Sequence, residues 1–229
     1  MITLLGTGMR IGECLGLTWA DINFEACTIA VNRSLGYRPI DGKCSFYIST
    51  PKTHNGTRII PMSSAVLSQL SSLHSLNSSM YSKASPVLDG CRDFVFRNRT
   101  GDLLSAHNVN RAIMRIIKEI NAAEEVHAKA EGRKPVFMPH FSVHTFRHTF
   151  CTRLCENEVD IAIIQQLMGH SDISTTLGIY NHITQERLSA AIQRMSIDPS
   201  AVSMAEGNSL SCLSSVFGRT SFHGSFLVE

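Results

Sequence analysis

The sequence predicts a mixed α+β fold, mostly helical, with a small three-stranded antiparallel sheet at one edge. Three observations predict it. Residues 27–31, 45–50 and 57–61 are short runs rich in β-branched and aromatic side chains, separated by Gly42-Lys43 and by His54-Asn55-Gly56, whose Asn-Gly pair is a hairpin signal. Several other segments carry apolar residues three or four apart, the period of a helix with one buried face. A length of 229 residues with 43% hydrophobic content fills the core of one domain and excludes collagen-like or wholly disordered chains.

The elements follow in order. Ile11, Cys14, Leu15 and Leu17 lie at helical spacing after a Thr7-Gly8 turn, so a short helix opens near Arg10. The three strands come next as a meander, with Lys52 beside its second turn. Residues 63–76 present Val66, Leu67, Leu70 and Leu73 on one face, and residues 105–120 present Val109, Ala112, Ile113, Ile116 and Ile117. Phe94-Val95-Phe96 between them reads as a short strand or buried connector, and the charged residues 122–134 as an exposed helical insertion or loop. Ser142 can cap a helix striped by Val143, Phe146, Phe150 and Leu154. Asp160 can cap another, carrying Ile161, Ile164 and Leu167 and stopped by Gly169. Further helices are expected near residues 173–180 and from 184 past Leu188, Ile192 and Met195. After Pro199 periodicity ends; nine of the 34 residues from Ser196 onward are serine, so residues 199–229 read as a flexible tail after a domain spanning 1–198.

Composition narrows the function. Twenty-one basic against 19 acidic residues leave a net charge of +2, too little for an overall basic nucleic-acid coat, so any anion site is local. Residues 33–58 hold five basic and one acidic side chain, and residues 92–118 six and two, so each stretch is +4. Seven cysteines form no Cys-x-x-Cys pair, which argues against a disulfide framework or zinc ribbon. The N-terminus lacks a basic region before its short apolar run, and no stretch reaches membrane-spanning length. The expectation is a cytoplasmic protein with reduced thiols.

The chemistry-bearing residues are scattered but of one kind. His144 and Arg147 share a helix face beside the core stripe, Arg10 opens the first helix, Lys52 sits on a turn, His170 follows the Gly169 stop and Tyr180 lies ten residues further on. Two arginines, a lysine and two histidines around a single candidate nucleophile suit a phosphodiester. Arginine binds phosphate oxygens bidentately and stays charged, so Arg10 and Arg147 could offset the extra charge of a pentacoordinate transition state. A tyrosine hydroxyl, with a pKa of about 10, attacks only when a base or nearby cations favour the phenolate; His144 or His170 can help. A lysine on a turn can protonate the departing oxygen. His140, His144 and His148 lack a carboxylate at ligand spacing, so no metal is expected, and a two-metal nuclease would need more carboxylates than Glu13 beside these groups. Glycine pairs at Gly6-x-Gly8 and Gly42-Lys43 miss the dinucleotide and P-loop spacings.

Four blocks together resemble a known family: Thr7-Gly8-Met9-Arg10-Ile11-Gly12-Glu13, Thr50-Pro51-Lys52-Thr53, His144-Thr145-Phe146-Arg147-His148-Thr149, and Met168-Gly169-His170-Ser171-Asp172 leading to Ile179-Tyr180. In this order they resemble the catalytic domain of tyrosine recombinases, or phage-type integrases, in the flavour of conjugative-transposon integrases. The resemblance implies site-specific DNA strand exchange through a 3′-phosphotyrosyl link on Tyr180, without metal, ATP or other cofactor. By the same likeness Arg10, His144 and Arg147 would hold the scissile phosphate, Lys52 would be the general acid, His170 would complete the pocket and Glu13 would orient Arg10. It also implies double-stranded DNA as partner, a tetramer assembled on that DNA, and a nucleoid-associated location. Since the chain starts at the first motif, it is expected to lack the family's earlier helices and N-terminal DNA-binding domains. A type IB topoisomerase-like nicking-closing activity and a silent DNA-binding remnant of a mobile element are the alternatives. If Arg147 serves only the phosphate, Arg147→Ala should abolish chemistry and leave the fold intact.

Overall fold

A computed structural model describes residues 1–51, 56–80, 84–157, 159–169, 174 and 177–178, with the backbone alone for Ser78 and Met80. The expected helices near 173–180 and after 184, and the tail 199–229, lie outside the described residues or are described at isolated positions only.

The chain opens with helix α1 (Ile2–Thr7), ended by Gly8 in the left-handed conformation, φ 63°. Glycine is needed there, because the mirror region strains any residue with a Cβ. Helix α2 (Ile11–Leu15) starts at Arg10, whose amide donates to Glu13 Oε2 at 2.8 Å and so fills an otherwise orphaned helix-start donor. The first sheet holds β1 (Ile22–Asn23), β2 (Thr28–Val31) and β5 (Arg58–Pro61) in the order β1-β2-β5, all antiparallel. Between β2 and β5 the chain leaves the sheet as a separate hairpin, β3 (Ser34–Ile40) with β4 (Lys43–Ser49).

The α+β class with a small three-stranded sheet is therefore as expected, but the strands composing it differ. The 45–50 run pairs with the overlooked strand β3, not with 57–61, and 57–61 pairs directly with 27–31. The turn is Asp41-Gly42, with φ of 49° and 80°, the left-handed pair a two-residue hairpin demands. Gly36 and Pro39 hide β3 in the sequence, since both are poor strand formers. In the structure Tyr47 lies over Gly36, where an added Cβ would meet its ring at 2.2 Å.

Helix α3 (Ser64–Met80) presses Val66 against α1, where Gly6 leaves no room for a Cβ: its nearest neighbour would be Val66 Cγ2 at 2.4 Å. Helix α4 (Ala106–Ala130) runs unbroken for 25 residues into the segment expected as an exposed helical insertion or loop, so most of that segment is helical and continuous with the helix before it. Residues 121–130 are mostly Ala, Glu and Lys, whose intrinsic preference carries the helix onward. Its C-terminal half is bound to the returning chain by Arg133 with Glu124 and by Met138 N to Asn121 Oδ1 at 2.7 Å. Phe94 and Val95 are fully buried in a connector joined to the segment after α2 by Val95 N to Leu17 O at 2.9 Å. Helix α5 (Val143–Glu156) and helix α6 (Ile161–Met168) complete the described fold, α6 capped by Asp160 onto Ala162 N at 2.7 Å and stopped by left-handed Gly169.

Leu4, Met9, Cys14, Ile29, Val31, Ile60, Val66, Leu70, Ile113 and Phe146 form the main core between helices and sheet. A second cluster of Cys151, Cys155, Ile164 and Met168 packs α6 on α5. Burial raises the Cys14 thiol to about 12 and the Cys151 thiol to about 11, so both stay protonated and inert.

Candidate DNA-cleavage site

The site is built where α2, β5, α5 and the end of α6 meet. Period-two alternation in β5 turns Arg58 and Ile60 inward and leaves Ile59 68% exposed, so strand geometry alone buries a guanidinium beside Val31. A buried cation needs a partner, and α2 supplies it. Glu13 accepts from Arg58 Nη2 at 2.8 Å and Nη1 at 3.3 Å, and from Arg10 Nη1 at 3.0 Å. Burial tends to raise the Glu13 pKa, but the hydrogen bonds and charge of Arg58, with those of Arg10, carry it below the ordinary carboxylate value.

The last turn of α6 closes the arrangement. Leu167 O accepts from Arg58 Nε at 2.8 Å, Met168 O from Arg147 Nη2 at 2.6 Å, and Gly169 O from Arg10 Nη1 and Nη2 at 3.4 Å. Three consecutive carbonyls that a helix end leaves unsatisfied thus each take a different arginine, at the negative end of the helix dipole. Arg147 also donates from Nη1 to Gly8 O at 2.7 Å, and it is 4% exposed. Burial and the neighbouring Arg10 lower its pKa to about 10, which still leaves it charged at neutral pH. Three guanidiniums against the Glu13 carboxylate give the cluster a formal charge of +2, and the Arg10 side chain, 47% exposed, carries part of that charge to the surface.

His144 stands on the exposed side of α5, its ring 4.8 Å from that of His148 and nearly perpendicular to it. Partial burial, then the neighbouring His148, Arg147 and Arg10, push its pKa down from the ordinary histidine value, which favours the neutral imidazole with one nitrogen free of a proton.

Of the sequence-predicted residues, the fold brings Arg10, Glu13 and Arg147 into one network and sets His144 within electrostatic reach of both arginines. Lys52, His170 and Tyr180 lie outside the described residues. Sequence reasoning missed Arg58; the alternation Arg58-Ile59-Ile60 inside an expected strand was the available signal, since it puts the arginine on the same face as Ile60. The expected basic stretch 33–58 also changes meaning, because Arg33 pairs with Asp21 and Arg58 with Glu13 inside the fold. Arg147 does not serve an external ligand alone, as its two carbonyl bonds tie α5 to α1 and α6.

This fold, with its three arginines gathered at one helix end, is that of an enzyme family that acts on DNA. The model of the phage integrase family matches residues 1–187, and the chain belongs to that family, the tyrosine recombinases. It is 30% identical over 195 residues to the transposase of transposon Tn916 from Enterococcus faecalis, covering 85% of this chain and 44% of the relative. It is 29% identical over 197 residues to a XerC-like tyrosine recombinase of Caldanaerobacter subterraneus, covering 83% and 46%. The integrase of transposon Tn1549, solved in complex with transposon right end DNA, superposes with a TM-score of 0.69 at 32% identity over 86% of this chain and 57% of that one. The chain spans a little under half the length of these curated relatives. No described helix is long and apolar enough to cross a membrane.

Proposed function

We propose that the chain carries the catalytic domain, residues 1–198, of a site-specific DNA recombinase of mobile-element type. The observation that carries the reading is the convergence of Arg10 and Arg147 on one α6 terminus, in a cluster that with Arg58 and Glu13 has a formal charge of +2, in a chain of this family. Arg10 and Arg147 stabilise the non-bridging oxygens of the scissile phosphate as negative charge accumulates there, and neutral His144 accepts a proton or hydrogen bond at its rim. The Tyr180 oxygen attacks phosphorus, the bond to the 5′ oxygen breaks, and Lys52 delivers a proton to that leaving oxygen, with His170 completing the pocket. The phosphotyrosyl link conserves the energy of the broken ester, so rejoining by a partner strand's 5′-hydroxyl reverses the same step without metal or ATP. Double-stranded DNA is the partner, strand exchange takes place in a tetramer on that DNA, and the setting is the cytoplasmic nucleoid.

The test incubates the protein with a duplex nicked near the cleavage point, which traps the covalent intermediate. A denaturation-resistant adduct that disappears in Tyr180→Phe supports the reading. Absence of any adduct makes the chain a silent DNA-binding remnant, whereas relaxation of supercoils without strand exchange makes it a nicking-closing enzyme.

A further inference from the structure

We propose that Arg58 is a positioning residue for DNA cleavage, holding Arg10 in place through the Glu13 carboxylate that the two arginines share. This deepens the recombinase reading and rests on it. Arg58 is 3% exposed in its side chain and cannot itself meet a DNA backbone, yet it spends three donors on two partners, Glu13 and Leu167 O. Two charge-assisted bonds to Glu13 fix that carboxylate from the sheet side, and the same carboxylate then presents Oε1 and Oε2 to the Arg10 guanidinium and amide. Arg10 is the half-exposed member of the pair, so its orientation at the surface depends on an acid anchored from below.

Without Arg58, Glu13 is a buried carboxylate facing Arg10 from its own helix start, Arg147 from α5 and the protonated Cys14 thiol beside it. It then either draws Arg10 inward as its close partner or takes a proton and releases it. Both outcomes move the guanidinium away from its present place between Glu13 and Gly169 O. Arg58 is also the link to α6, so the acid, the strand and the helix end are set together.

The experiment compares wild type, Arg58→Lys and Arg58→Met, all as the full 229-residue chain, in single-turnover cleavage of the nicked duplex at saturating concentration and across pH 3.5–8. Arg58→Met should cleave on the order of 10²-fold more slowly, the effect of displacing one transition-state donor. Its duplex Kd should stay close to wild type, and its acid-side inflection should move to higher pH as Glu13 loses its main charge partner. Arg58→Lys, which keeps the charge, should recover much of the rate. An unchanged cleavage rate in Arg58→Met overturns the proposal, as does a loss that follows the melting temperature and leaves the pH profile unmoved. If wild type itself forms no adduct, the recombinase reading fails, and the inference is decided by carbon- and nitrogen-detected NMR titration. The Arg10 guanidinium signal must follow Glu13 ionisation, at higher pH in Arg58→Met; an Arg10 signal indifferent to Glu13 overturns the positioning role.

Discussion

Gly8→Ala probes how tightly the arginine network is tied to the fold. Gly8 has φ +63°, so an alanine there meets the left-handed penalty of about 1–2 kcal/mol. Its new methyl would also lie 2.3 Å from Phe150 Cδ1, 2.9 Å from Cε1 and 3.1 Å from Met168 Sδ, which forces the partly buried Phe150 ring and the buried Met168 sulfur to move. Overpacking of this kind costs about 1–3 kcal/mol, so the sum is roughly 2–5 kcal/mol. In a chain of this size that lowers the melting temperature by about 4–20 °C, readable by circular dichroism or calorimetry. Gly42→Ala is the control. Its φ is +80° but no heavy atom lies within 4 Å of the added Cβ, so only the conformational part applies, about 1–2 kcal/mol. Gly8 O is also the acceptor of Arg147 Nη1, so the displaced turn should slow cleavage as well, while the Gly42 variant should not. Equal losses of stability at the two glycines would refute the close approach of α1 to α5 and α6 on which the calculation rests.

Arg147→Ala should destabilise as well as inactivate, because Gly8 O and Met168 O are both left without their donor; at about 1–3 kcal/mol per buried orphan, a clear drop in melting temperature without loss of cooperative unfolding is expected, and an unchanged melting curve would contradict it. Glu13 has a folded pKa below its ordinary 4.5, so its contribution to stability is fully present above that value and is lost as pH falls through the lower, folded one. Acid titration of the unfolding free energy should therefore show a limb below pH 4.5 that Glu13→Gln flattens, and equal slopes in the two proteins would remove Glu13 from the account. For the sheet register, Ile60→Ala should cost about 2–5 kcal/mol in urea unfolding while Ile59→Ala, on the outward face, stays within about 0.5 kcal/mol; a reversed order would place β5 one residue out of step.

What the sequence made legible follows from which signals are local. Helices α3, α5 and α6 could be read directly, since their apolar spacing, Asp160 cap and Gly169 stop act within a few residues. Strand pairing was not, because nothing inside residues 45–50 says whether the partner lies before or after them in the chain. The Asp41-Gly42 pair carried the answer, but Pro39 and Gly36 masked the strand that leads into it. At the site, Arg10, Glu13 and Arg147 stand in recognisable motifs, whereas Arg58 does not. Its role is visible only once β5 is aligned beside β2 and its inward face meets Glu13, a contact 45 residues apart in sequence. The Arg147 bonds to Gly8 O and Met168 O were hidden for the same reason, since they connect main-chain atoms that no motif names.

The three arginines grip successive residues of one helical turn, like pins engaging neighbouring threads of a screw. Each added or deleted residue in α6 would rotate its end by about 100° relative to α5 and β5 and bring a different carbonyl, pointing elsewhere, to every guanidinium. Side chains on the outer surface, such as half-exposed Ile163, are free to vary without that penalty. Loop grafts and circular permutations of this domain should therefore keep the span from Asp160 to Gly169 at its native count, whatever the chemical character of its outward positions.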